Sequence, residues 1–186
     1  MKHLITALTL FLVIIVAIDA NAYNRRKDYF LRPQVGLWFG PITPVFDTAD
    51  LLETNLGGGL FFRYNTPLRS LKLGLDSSYQ HFKSKGVNEL TFVPVCANLV
   101  YMLPLSLPVR FQLKAGAGTG YVSSEPDDFS QWDPVFMGGL EISFPAGRII
   151  NIGLRLDYYN IYEGYISGSD RNGHVFTAGI SLYFNM

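Results

Sequence analysis

Residues 109–122 read Val-Arg-Phe-Gln-Leu-Lys-Ala-Gly-Ala-Gly-Thr-Gly-Tyr-Val. Up to Tyr121 every odd position is apolar or a threonine, and up to Gly120 every even position is charged, amide or glycine. A strand sends successive side chains to opposite faces, so this stretch predicts a strand with one apolar and one polar face. The same alternation predicts strands at 29–40, 55–65, 70–82, 90–103, 109–122, 134–144, 149–162 and 174–186. One face collects Leu31, Val35, Leu37 and Phe39; Leu56, Leu60, Phe62 and Tyr64; Leu71, Leu73, Leu75 and Tyr79; Val93, Val95, Ala97, Leu99 and Tyr101. It continues with Phe111, Leu113, Ala115, Ala117 and Tyr121; Phe136, Leu140, Ile142 and Phe144; Ile150, Ile152, Leu154, Leu156 and Tyr158; and Phe176, Ala178, Ile180, Leu182 and Phe184. No Asp, Glu, Lys or Arg falls on it. The fourth strand is apolar on both faces through Phe92, Cys96, Val100 and Met102, a pattern a fully buried soluble strand shares.

The opposite face holds Arg32, Gln34, Arg63, Lys72, Asp76, Gln80, Asn98, Arg110, Gln112, Lys114, Glu141, Arg155 and Asp157, interleaved with glycines such as Gly74, Gly116, Gly118, Gly139 and Gly153. Hydrocarbon offers no partner to a backbone amide or a charge, so only a closed sheet spans a membrane with strands. Eight strands, each at or above the ~9–11 residues a tilted membrane strand needs, predict an all-β, eight-stranded antiparallel up-and-down transmembrane β-barrel, apolar outside and polar inside. The connections alternate in length: long at about 41–54, 83–89, 123–133 and 163–173, short at 66–69, 104–108 and 145–148, where prolines and Gly147 supply turn chemistry. Aromatic residues fall near both strand ends. Phe39, Tyr79, Tyr121, Phe136, Tyr158 and Phe176 lie toward the long loops and Tyr29, Tyr64, Tyr101, Phe144 and Phe184 toward the short turns, as two membrane interfaces favour.

The first 22 residues predict a secretory signal: Lys2, an apolar run from Leu4 to Ile18, and Ala20-Asn21-Ala22 as a small-x-small cleavage site. The expected domain layout is thus signal 1–22 and barrel 23–186, with both termini in the periplasm and no peptidoglycan-binding domain after the last strand. Fifteen basic residues balance fifteen acidic ones, which argues against a nucleic-acid partner. The single cysteine, Cys96, forms no internal disulfide and reads as a small buried side chain. Trp38 is expected inside near the outer mouth, and Trp132 in a loop.

Two segments stand out together, Pro94-Val95-Cys96-Ala97-Asn98-Leu99-Val100-Tyr101 and Gln112-Leu113-Lys114-Ala115-Gly116-Ala117-Gly118-Thr119-Gly120-Tyr121. They resemble middle strands of the small outer-membrane β-barrel family, the group around the OmpA transmembrane domain and OmpW, and Gly153-Leu154-Arg155-Leu156-Asp157-Tyr158 is similar to its penultimate strand. The resemblance implies a bacterial outer-membrane location, lipid around the wall, and barrel-assembly and periplasmic chaperone machinery during biogenesis. Members commonly finish on an aromatic residue that this machinery reads; here Tyr183-Phe184 is followed by Asn185-Met186.

The inward charges allow two readings, a weakly anion-favouring passage or an ion-pair network that plugs the barrel. A buried charge needs a partner and eight strands leave little bore, which favours the plug. Asp76-Ser77-Ser78 with His81 invites comparison with barrel enzymes that act on membrane lipid. Ser77 and His81, four residues apart in one strand, are separated by ~13 Å, and Asp76 faces the other way, so interfacial polarity is the plainer account. The outer loops are acidic: Asp47, Asp50, Glu53, Glu89, Glu125, Asp127, Asp128, Asp133, Glu163 and Asp170, against Lys83, Lys85 and Arg171. Glu125-Pro126-Asp127-Asp128 does not have the spacing of a calcium loop, and no metal or cofactor is read. Thr48 is expected to cap a short helical turn over 48–53. The sequence thus points to a non-enzymatic outer-membrane barrel with a structural, surface-interaction or limited small-solute role, the outer loops being open to an extracellular ligand. A membrane-lipid enzyme or a soluble exported barrel of lipocalin type, apolar face inward, are the alternatives.

Overall fold

The computed structural model describes residues 32–68, 70–84, 89–105, 107–125, 129–147, 149–162 and 172–186. The signal segment 1–22, Tyr29, Leu31, Lys85, Pro126, Asp127, Asp128, Glu163, Asp170 and Arg171 lie outside them. The chain forms β1 (Gln34–Pro44), a 3-10 helix (Phe46–Asp50), β2 (Asn55–Asn65), β3 (Leu71–Lys83), β4 (Glu89–Met102), β5 (Arg110–Glu125), β6 (Phe129–Pro145), β7 (Ile150–Ile161) and β8 (Gly173–Asn185). Each strand pairs antiparallel with its neighbours in sequence, and β1 pairs with β8, so the sheet closes.

The register fixes the barrel's shape. Hydrogen-bonded neighbours lead once around the wall from Pro134 through Thr119, Val95, Ser77, Leu60, Leu37, Leu182 and Ile152, and meet β6 again at Phe144, ten residues beyond the start. With ~3.4 Å per residue and ~4.8 Å between strands, that stagger on eight strands gives a tilt of about 41° and a Cα radius of about 8 Å. No described residue assigned to the apolar face is buried; Leu60, Leu154 and Ile180 are each more than 60% exposed. Along the axis, Tyr64, Tyr101, Phe144 and Phe184 form an inner ring and Tyr79, Phe136, Tyr158 and Phe176 an outer one, roughly 18 Å apart at ~2.5 Å of axial rise per tilted residue. Tyr121 and Trp132, in contact at 5.4 Å between ring centroids, lie higher still.

β1, β3–β6 and β8 overrun their expected ends on the outer side. β1 continues through Pro41 to Pro44; its ladder to β8 skips Gly40 and Pro41 and resumes at Ile42, the local gap that a residue without an N–H imposes. Phe39 is therefore mid-wall, not in the outer ring. The expected 123–133 loop contracts because β5 runs to Glu125 and β6 begins at Phe129. Trp132 thus belongs to an exposed strand face, not a loop, and Asp133 is buried, accepting a 2.7 Å hydrogen bond from Gln131 Nε2. Glu89 and Glu125 are strand ends that face each other in register. Thr48 sits inside the 3-10 helix, whose N-cap Val45 makes no side-chain cap. Its hydroxyl instead accepts a hydrogen bond from the His174 backbone N–H at 2.9 Å.

Candidate functional site: the barrel lumen

The glycines make the lumen habitable for large side chains. A Cβ on Gly118 would fall on the Val95 carbonyl, and one on Gly120 would meet the Phe92 ring; a methyl there would force strands or rings apart. Gln34, Arg63, Lys72, Asp76, Asn98, Gln112, Lys114, Glu141, Arg155 and Asp157 are all buried. Arg110, the first residue of β5, is only half-buried at the inner rim. Arg32 does not line the lumen: it precedes β1 and is exposed, and it is its carbonyl that accepts the Lys72 Nζ at 2.7 Å.

Three layers fill the interior. In the innermost, Arg63 meets Glu141 through two hydrogen bonds, Nη2 to Oε2 at 2.6 Å and Nη1 to Oε1 at 3.3 Å, and Nη1 also donates to Gln112 Oε1 at 2.9 Å. Such paired donors match a carboxylate's two oxygens. Gln112 Nε2 donates to Ser143 Oγ and to the Tyr183 hydroxyl, which lie 2.7 Å from each other. The Phe61 ring lies 4.3 Å from the Arg63 guanidinium. The middle layer holds two cations and two anions. Arg155 reaches Asp76 Oδ2 at 2.6 Å and Asp157 Oδ2 through Nε; Lys114 Nζ reaches Asp157 Oδ1 at 2.6 Å and Asp76 Oδ2 at 3.7 Å. Trp38 points inward and packs on the Arg155 guanidinium at 5.3 Å. The Arg63–Glu141 pair and the Arg155, Lys114, Asp76 and Asp157 cluster are each balanced in charge, as the partner rule for buried ions favours; Lys72, buried at the inner end, has its Nζ on the Arg32 carbonyl.

The outer layer is apolar. Ile42, Phe82, Phe92, Val122, Val135, Ile161 and Val175 come from the outer portions of seven different strands and are all essentially inaccessible. Tyr159, Met137 and Cys96 belong to the same cluster, Phe92 crossing Tyr159 edge-on at 6.3 Å. Its sequence signal is inward-facing apolar residues at the outer ends of strands whose inward positions are polar lower down. That two-sided apolarity is legible in β4 and is present in β1, β3 and β5–β8 as well.

Among the described residues, the polar side chains with catalytic potential are not assembled into a nucleophile and base. Ser78 Oγ accepts from Gln80 Nε2 at 3.0 Å. His81 contacts Thr91 Oγ1 at 3.2 Å and Glu89 at 3.4 Å. His174 meets the Tyr158 hydroxyl and Asn160. Among the described residues no histidine is hydrogen-bonded to a serine, and no three His, Cys, Asp or Glu residues cluster as metal ligands.

A closed eight-stranded barrel with lipid-compatible walls and a charged lumen defines the class of small outer-membrane β-barrels. No protein-family model matches the sequence, and comparison with curated proteins finds no match. Among solved structures the chain is similar to Neisserial surface protein A, at 10% identity and a TM-score of 0.62 over 83% of this chain and 97% of that one. It is similar to a major outer membrane protein from Thermus thermophilus, at 12% identity and a TM-score of 0.55 over 83% and 99%. It is also similar to the outer membrane enzyme PagL, at 14% identity and a TM-score of 0.51 over 82% and 99%. At these identities the likeness is one of fold, and the fold carries both enzymes and proteins without that description.

Proposed function

We propose that this chain is an integral protein of the bacterial outer membrane: a closed, non-conducting and non-catalytic barrel that serves the envelope structurally and holds its outer loops toward the medium for contact with an extracellular ligand. The observation that carries this reading is the filled lumen. Two layers of ion-paired side chains and an apolar layer lie in series inside a wall of about 8 Å radius. In this reading residues 1–22 are a removed signal, 23–186 form the barrel, and both termini face the periplasm. Its partners are outer-membrane lipid and, during biogenesis, the chaperone and barrel-assembly machinery; it takes no nucleic acid and no cofactor. A soluble lipocalin-type barrel would have to leave Leu37, Leu60, Leu73, Leu154 and Ile180 in water while enclosing buried, ion-paired acids and bases, against the direction of the hydrophobic effect.

Planar-bilayer recording of the refolded protein tests the closure. The expected trace has no unitary steps above the lipid baseline; reproducible steps at low voltage would refute the sealed lumen. Phase partitioning with a cloud-point detergent tests the membrane assignment independently, recovery in the aqueous phase being the result against it.

A further inference from the structure

Phe46 is the only non-glycine among the described residues with a positive φ, at 54°. A bulky L-residue enters that region at a cost in backbone energy, and strained positions persist where something else holds them. Phe46 is also 70% exposed, so its packing inside the protein covers less than a third of the side chain. What it touches is informative. Its ring meets His174 edge-on at 5.3 Å, and His174 stacks on Tyr158 at 6.0 Å, with the Tyr158 hydroxyl 2.7 Å from Nδ1. His174 and Tyr158 lie on the outward face of β8 and β7, in line with Phe176, Ile180 and Leu156.

The chain therefore leaves β1 at Val45, whose N–H completes the ladder to the His174 carbonyl at 3.0 Å, and turns outward over the wall instead of inward over the mouth. The Thr48 hydroxyl takes the His174 N–H and fixes this turn. Phe46 thus stands just above Tyr158 and Phe176, a cross-strand pair of the outer aromatic ring, and extends that ring by one aromatic residue.

We propose that Phe46 is a membrane anchor of the first outer loop: its ring enters the glycerol and upper acyl region of the outer leaflet and holds the 3-10 helix against the lipid surface. The occupant of this patch is lipid because the patch is continuous with the lipid-facing wall, and membrane barrels carry girdles of aromatic residues at both interfaces. Burial in lipid supplies the stabilisation that offsets the strained backbone, since the His174 contact alone leaves the ring largely exposed. The proposal rests on the membrane reading of the barrel.

The test places single tryptophan reporters in the full chain carrying Trp132→Phe, with Trp38, enclosed in the lumen, as a constant background. Phe46→Trp and, separately, Leu60→Trp on the mid-wall are refolded into phosphatidylcholine vesicles with bromine at shallow or deep acyl positions. The expected result is a blue-shifted Phe46→Trp emission quenched several-fold more by shallow than by deep bromine, and Leu60→Trp quenched mainly by deep bromine. Quenching at Leu60→Trp with none at Phe46→Trp, together with ready quenching of the latter by aqueous acrylamide, would overturn the anchor and leave the membrane reading intact. Absence of quenching at both positions would overturn both.

Discussion

Replacing Glu141 with leucine strands Arg63 inside the wall. Both side chains have no solvent exposure, so water cannot take over for the lost carboxylate. Arg63 keeps the 2.9 Å bond to Gln112 and its place over Phe61, and loses both bonds to Glu141. A buried ion deprived of its partner costs ~3–5 kcal/mol. Arg63→Met reverses the situation, leaving the Glu141 carboxylate alone at a similar cost. The double variant Arg63→Met/Glu141→Leu removes both charges with side chains of comparable bulk, and such replacements are neutral or stabilising by ~1–4 kcal/mol. The two sites are then coupled by ~6 kcal/mol or more, the sum of the two single losses set against a neutral double variant. Urea titration in lipid vesicles, followed by tryptophan emission and by the mobility of the unheated protein on gels, reads all four corners of the cycle. Single variants costing under ~1 kcal/mol, or a double variant as unstable as the sum of the singles, would show that water reaches this layer and would refute the sealed, low-dielectric lumen on which the reasoning depends.

Leu154→Arg places a charge near the middle of the lipid-facing wall, where it is 61% exposed, and should destabilise the barrel in vesicles by ~2–4 kcal/mol; an unchanged urea midpoint would contradict the face assignment. Gly118→Ala sets a methyl against the Val95 carbonyl, whereas one on Gly138 finds its nearest atom at 4.0 Å. The first should cost ~1–3 kcal/mol and the second nothing measurable in the same titration, so equal effects would refute the packing account of the inner glycines. The middle ionic layer should seal by itself. Glu141→Leu, Phe82→Ala/Phe92→Ala and their combination should all be silent in planar bilayers, because the Arg155, Lys114, Asp76 and Asp157 layer still closes the bore; conductance steps from any of them would show that this middle layer does not seal on its own.

How much of this is legible follows from what a period of two can report. It assigns faces, and the wall residues from Val35 to Phe184 lie outside as their parity requires. It cannot report where a strand stops when both the strand and the expected turn contain prolines. Pro41 follows directly on the expected strand end at residue 40, yet β1 absorbs it at the expense of two ladder positions. Nor does parity identify partners. Asp157 faces both Lys114 and Arg155, while Asp76, far from either in sequence, shares them, because the ten-residue stagger decides which inward residues reach one level. The outer apolar layer shows in the pattern of β4 alone for a related reason: every other strand contributes only one or two of its residues, too few to disturb its own alternation, and only closure gathers them.

The division of the lumen follows from two demands on the same strand. Buried ion pairs are a poor source of stability, since apolar residues of equal volume serve as well or better. Before the barrel closes the strands face a different constraint: a strand apolar on both faces is a continuous hydrophobic run with nothing to cover it, and exposed apolar segments of that kind aggregate. Arg110, Gln112 and Lys114 interrupt β5, and Arg155 and Asp157 interrupt β7, every second residue over the inner part of the wall. β4 has no inward charge and depends on Pro94 and Asn98 to divide Phe92–Met102 into short apolar pieces. Apolar filling is then tolerable only where it stays short, at the outer strand ends, next to polar loops. The inward charges keep most strands from being apolar on both faces before closure, and closure of the barrel brings acids and bases together in pairs.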